Sequence, residues 1–240
     1  LDLMVLRSVW NRWGLTELID LLMPIQDQEL APSAVVAALT FQRCIAPGSK
    51  LKASRWIPQT VVPELLGPSL VNWNNSRFHR TLKQLADIEE PLQAALCSRY
   101  QSTDGAFAVL HLDTTDAVFF GKGPKMAQTS KGKDGVLKRR IGIALLCNER
   151  GYPLRWRVVE GRAADCDTFV DVADDVAHFG WAQNVPFIID RAAGSTATLR
   201  QLLDTDLHVL TPLRRAEFPS YVPSLPTAPF EDLNGTSKQL

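Results

Sequence analysis

Apolar positions along the first hundred residues recur at helical spacing. Leu3, Val5, Leu6, Val9, Trp10 and Trp13 crowd one stretch; Leu15, Leu18, Ile19, Leu21 and Leu22 follow, and Pro24 stops the pattern. Pro32 and Ser33 open a second helix through 34–45, which Pro47 and Gly48 end. Pro58, Pro63, Gly67 and Pro68 keep the pieces over 57–76 short. Ser76 is placed to cap a helix to about residue 87, and Glu90-Pro91 opens another to about residue 100.

The texture changes after the polar break at 101–105. Short apolar runs at 108–113, 141–147 and 154–160 predict three strands, and the NERG turn at 148–151 predicts that the last two form an antiparallel hairpin. Phe169, Val172, Ala173, Val176 and Phe179 have helical spacing over 165–179. A buried-type strand follows at 185–189, then a helix capped by Ser195 to about residue 203, then a strand at 207–210. The order from residue 108 is β-β-β-α-β-α-β. The fold class expected is α+β (mixed α/β): a helical region over 1–104, then a core with a five-stranded mixed sheet over 105–215. Residues 216–240, with four prolines, read as the start of an insertion or a disordered tail.

Composition narrows the function classes. Lys and Arg total 26, as do Asp and Glu, and a zero net charge excludes a purely electrostatic, histone-like binder. The four cysteines form no C-x-x-C pair and the four histidines are scattered, so no structural zinc site is expected. No apolar run reaches the roughly 20 residues a membrane helix needs, and no signal peptide is expected. Free thiols suit a reducing cytoplasm, and the six tryptophans suit core packing.

Candidate chemistry rests on two acids. Asp113 ends the first predicted strand and Asp190 the fourth. With those strands adjacent, both carboxylates collect at one sheet edge, where sites form. Two carboxylates held together repel unless a cation lies between them, and a hard, oxygen-seeking ion, Mg²⁺ or Mn²⁺, is the natural partner. Such ions serve phosphodiester chemistry. A strand-end Asp also serves as a simple turn cap. A second signal lies between the first two strands. Residues 121–140 hold seven Lys or Arg and one Asp, with four glycines. This reads as a flexible basic loop for phosphate contact, with Lys131, Lys133, Lys138, Arg139 and Arg140 as candidates and Arg191, beside Asp190, as another. A solvated loop is the plainer reading of such a run.

At these residues the chain resembles the IS4-superfamily DDE transposases, most closely the IS1634-type group. HLDTTDAVFFG (111–121) resembles the segment bearing the first Asp, TSKGKDGVLKRRIGIALL (129–146) the linker into the second strand, RGYPLRWRVVEGRAADCDTF (150–169) the third strand and its exit, VPFIIDRAAGS (185–195) the segment bearing the second Asp, and GSKLKASRWI (48–57) part of the N-terminal region. The resemblance covers about residues 30–215.

It implies an RNase H-like core that cleaves and joins DNA at the ends of its own element, with Asp113 and Asp190 as the first two acids and metal ligands, and Mg²⁺ or Mn²⁺ as cofactor. It further implies element-end and target DNA as partners, no membrane, a homo-dimer as the active complex, and a bacterial cytoplasmic location. The helical region would bind DNA or oligomerise. A third acid is expected in a Y-x2-R-x3-E motif, which this sequence does not contain; Glu217 and Glu231 are its only late glutamates. The core is therefore expected to be cut short at its C-terminal end and inactive as it stands. An RNase H-like nuclease and a non-catalytic DNA-binding remnant are the competing readings.

Overall fold

A computed structural model describes residues 1–24, 30–67, 72–121, 123–132, 135–217 and 219, with the backbone of 230–231 and 237–238. The chain divides into two compact units, Leu1–Gly105 and Ala106–Leu240.

The first unit is helical: α1 (Asp2–Arg12), α2 (Leu15–Leu22), α3 (Pro32–Ile45), α4 (Lys50–Trp56), α5 (Val62–Leu66), α6 (Asn75–Asp87) and α7 (Glu89–Asp104). The apolar run expected as one segment before Pro24 is two helices. Gly14, at φ +53°, takes a left-handed conformation that a side chain disfavours, and it turns the chain between α1 and α2. Arg99 of α7 donates to the Trp13 carbonyl at that corner. Small residues on α3 (Ala34, Ala37, Ala38) allow close approach, and Phe41 meets Trp10 edge-on at 5.9 Å. Trp10 satisfies its indole N–H on the Thr16 hydroxyl at 2.9 Å. The cap of α6 is Asn74 rather than Ser76: its Oδ1 accepts from the Arg77 N–H at 2.8 Å.

The second unit is built on one sheet: β1 (Leu110–Phe119), β2 (Gln128–Lys131), β3 (Leu137–Asn148), β4 (Pro153–Glu160), β5 (Pro186–Ile189) and β6 (His208–Leu210), with α8 (Asp165–Ala177) and α9 (Thr196–Leu203). The path is β2-β3-β1-β5-β6, with β4 also on β3. β1 pairs antiparallel with β3 and parallel with β5, and β5 pairs parallel with β6. This mixed α/β arrangement is RNase H-like. It has one strand more than the five expected, because β2 pairs with Leu137–Arg140 of β3 while β4 takes Ile141–Cys147 along the same edge. The β3–β4 hairpin turns as expected: Gly151 has φ +77°, and Asn148 Oδ1 accepts from the Arg150 and Tyr152 N–H groups. A short pair, β7 (Phe230–Glu231) and β8 (Ser237–Lys238), lies within 216–240, most of which is outside the described residues.

Alternation sorts the sheet into two faces. Leu110 and Leu112 of β1, Ala144 and Leu146 of β3, and Phe187 and Ile189 of β5 are buried together. The helix α8 lies on that side, contributing Phe169, Val172, Ala173 and Val176. Full burial of a side chain such as Phe169 or Phe187 stabilises by about 2–3 kcal/mol. Asp165, the first residue of α8, accepts from the Thr114 hydroxyl at 2.8 Å, tying the helix start to β1.

Candidate active site

The β1–β5 ladder places Leu112 opposite Ile189, both on the helix-covered face. The next residue on each strand is Asp113 and Asp190. Adjacent strands run about 4.8 Å apart and successive side chains alternate, so the two acids share the other face at matching heights. Both are exposed. Asp113 is expected from sequence to end its strand, but it does not. It is the fourth residue of β1, which continues to Phe119 because β3 keeps supplying hydrogen bonds, from the Asp113–Leu145 pair to the Phe119–Arg139 pair. What ends is β5. The acids therefore sit at the fork where β1 runs on and β5 turns away.

Local hydrogen bonds orient each carboxylate. Asp113 Oδ1 accepts from the Thr114 N–H at 2.7 Å. Asp190 Oδ1 accepts from the Ala192 N–H at 2.8 Å and so caps a 3-10 turn over Arg191–Ala193. His111 is exposed on the same face as Asp113, two residues before it.

Two neighbouring exposed carboxylates suit one hydrated Mg²⁺, which takes one or two carboxylates and keeps several waters. Among the described residues, no group of three or more His, Cys, Asp or Glu is gathered to hold a metal ion. Of the late glutamates, Glu217 accepts from the Thr196 hydroxyl, and the Glu231 side chain is outside the described residues.

The basic segment is ordered by pairing. Instead of a flexible loop, the described part of 128–148 contains the β2–β3 pair, so Lys131, Lys138, Arg139 and Arg140 each lie at a defined register position. Arg140, a candidate for phosphate contact, turns inward. It occupies the buried face of β3, in step with Gly142, Ala144 and Leu146, is 4% exposed, and donates to Asp116 at 2.8 Å and to the Val136 carbonyl at 3.2 Å. Arg139 is also held back: its guanidinium donates to the Ala127 carbonyl at 2.8 and 3.0 Å and to that of Pro124 at 3.4 Å. Lys138 is half-buried, while Lys131 and Arg191 are exposed. Lys133 lies outside the described residues. The two-residue alternation of β3 upstream of Ile141 carries the signal for the inward turn of Arg140.

A polar cavity of about 180 Å³ adjoins this ion pair, lined by Thr115, Asp116, Lys131, Arg140, Glu160 and Asp165 among others. Its carboxylates are engaged: Asp116 with Arg140, Glu160 with Gln128 Nε2 at 2.8 Å, and Asp165 with Thr114. No helix among the described residues is long and apolar enough to cross a membrane.

No family model matches the chain, and no curated protein sequence matches it. Among solved structures it is similar to the piggyBac transposase in a cryo-EM synaptic complex with hairpin DNA, at TM-score 0.42 and 12% identity over 85% of this chain and 47% of that one. It is also similar to the Mos1 transposase in a paired-end complex with the left transposon end, at TM-score 0.31 and 9% identity over 83% of this chain and 63% of that one. The chain spans about half the length of the first and under two thirds of the second.

Proposed function

We propose that this chain carries the core of a DDE-type DNA transposase of the IS4 superfamily, nearest the IS1634-type group. The observation that carries the reading is the ladder register that pairs Leu112 with Ile189, the residues just before Asp113 and Asp190. The sequence segments around both acids support it, because the same residues that resemble the family's first and second Asp segments form this fork.

In this reading Asp113 and Asp190 hold Mg²⁺ or Mn²⁺. The bound ion would supply Lewis-acid activation of a water or 3′-hydroxyl and stabilisation of the leaving oxygen in phosphodiester cleavage and joining. The chain's own contribution is positioning. The Thr114 and Ala192 N–H groups fix the two carboxylates, and Lys131 and Arg191 face the phosphates of element-end and target DNA. The helical unit binds DNA or joins two copies into the active dimer, and the protein works in the bacterial cytoplasm on the nucleoid.

The test is a Mn²⁺ titration followed by electron paramagnetic resonance. Asp113→Asn and Asp190→Asn each weaken binding by about tenfold or more, since even residues behind the ligands cost 10–100-fold. Asn keeps the Oδ1 acceptor that caps the Ala192 turn, so the fold is preserved. Unchanged Mn²⁺ affinity in both variants rules the site out.

A further inference from the structure

We infer that Thr211 and Arg214 are positioning residues for Asp190, an inference that rests on the metal-binding role proposed for that acid. The sheet stops holding the chain at Ile189, so the Asp190 carboxylate is only as well placed as the turn that follows. That turn is held from outside by the segment after β6. The Thr211 hydroxyl donates to the Asp190 carbonyl at 2.8 Å. The Arg214 guanidinium donates to the Ala192 carbonyl, and the Arg214 N–H donates to the Gly194 carbonyl at 3.0 Å. Three alternate carbonyls of one turn thus accept from two residues of one segment.

The contact is too close for any other residue at position 194. A Cβ there would lie 2.2 Å from the Pro212 carbonyl oxygen and 3.0 Å from the Arg214 nitrogen. A further bond, from the Thr196 hydroxyl to the Glu217 carboxylate, fastens the same segment to the start of α9. Ala192 is the pivot. Its N–H is held by the Asp190 carboxylate and its carbonyl by Arg214, so a shift of that residue moves the acid directly. Supporting contacts of this kind set ligand geometry at metal sites.

The experiment uses the whole chain in four forms: wild type, Thr211→Val, Thr211→Ser and Arg214→Met. Val keeps the size of Thr and removes the donor, whereas Ser keeps the donor. Two quantities are measured: Mn²⁺ affinity by electron paramagnetic resonance and exchange of the Ala192 amide hydrogen by NMR. Thr211→Val and Arg214→Met are expected to speed Ala192 exchange about three- to tenfold, as loss of one hydrogen bond does. They are expected to weaken Mn²⁺ binding about 10-fold or more. Thr211→Ser stays within about twofold of wild type on both, which separates lost hydrogen bonding from general loosening. Unchanged exchange in the Val and Met variants overturns the inference. Faster exchange with unchanged Mn²⁺ affinity overturns it too, since the segment would then order the turn without placing the acid. If wild type binds no Mn²⁺, the proposed function fails by itself, and the exchange data alone decide whether Thr211 and Arg214 fix Ala192.

Discussion

The Arg140 guanidinium donates to the Asp116 carboxylate at 2.8 Å from a side chain almost wholly buried between β3 and its surroundings. Removing one partner of a buried pair leaves the other charge uncompensated. Asp116 keeps 34% of its side-chain exposure, so water offsets part of that cost. Arg140→Ala is expected to destabilise the chain by about 2–3 kcal/mol in urea unfolding. A loss below about 0.5 kcal/mol, the level of an exposed ion pair, would show the pair to be solvent-screened.

If the proposed function holds, DNA affinity follows from which cations are exposed. Each phosphate contact contributes about 0.9 to the slope of log affinity against log salt on duplex DNA. The double variant Lys131→Ala with Arg191→Ala should lower that slope by about 2. Arg139→Ala and Arg140→Ala should leave it unchanged, because both guanidiniums are spent on internal acceptors. Fluorescence anisotropy at a series of salt concentrations gives the slopes. A drop confined to the arginine variants reverses the assignment.

Gly161 sits where β4 ends and β2 begins along one edge of β3, and its N–H donates to the Met126 carbonyl at 3.1 Å. A Cβ there would lie 1.9 Å from the Arg140 carbonyl oxygen and 3.0 Å from that of Gln128, both backbone atoms with little freedom to yield. Gly161→Ala should therefore cost about 1–3 kcal/mol or more. Gly180→Ala, with nothing within 4 Å of its Cβ, serves as the neutral control. Equal melting temperatures for the two variants would contradict the packing described.

Thiol reactivity should be graded. Cys44 is exposed, whereas Cys147 is half-buried on β3, where burial pushes its thiol above the ordinary cysteine range. The thiolate is the nucleophile, so at pH 8 iodoacetamide should modify Cys44 well before Cys147, with the gap narrowing as pH rises. Mass spectrometry of timed aliquots decides it, and equal rates would count against the burial of Cys147.

Much of the second unit was legible because its elements announce themselves locally. The apolar runs around Leu112 and Leu146 and the Asn148 turn mark strands, and Phe169 and Val172 mark a helix face. The places of Asp113 and Asp190 on the chain were legible for the same reason: each follows an apolar strand run, and the last residues of those runs pair. What stayed hidden depends on partners distant in sequence. Gln128–Lys131 has no apolar alternation, and it is a strand only because β3 offers it an edge. The extension of β1 through Asp116 looks too polar for a strand until β3 lies beside it. Thr211 and Arg214 carry no motif, since their acceptors are backbone carbonyls that any residue presents. In the first unit Gly14 was visible, but its left-handed conformation was not.

The unequal ladders of β1 bear on how the protein folds. β1 is bonded to β3 along all ten of its residues but to β5 along only three. The β3–β4 hairpin closes a short turn, whereas β5 must return across the whole of α8, and long closures come slowly. The β1–β5 pairing is therefore expected to close after the β3–β4 hairpin, and in the proposed metal site it closes against the repulsion of two acids. Mg²⁺ should speed that closing phase in stopped-flow refolding and leave earlier phases alone, an acceleration absent in Asp190→Asn. A refolding trace indifferent to Mg²⁺ would mean that the closure is complete before the two charges meet.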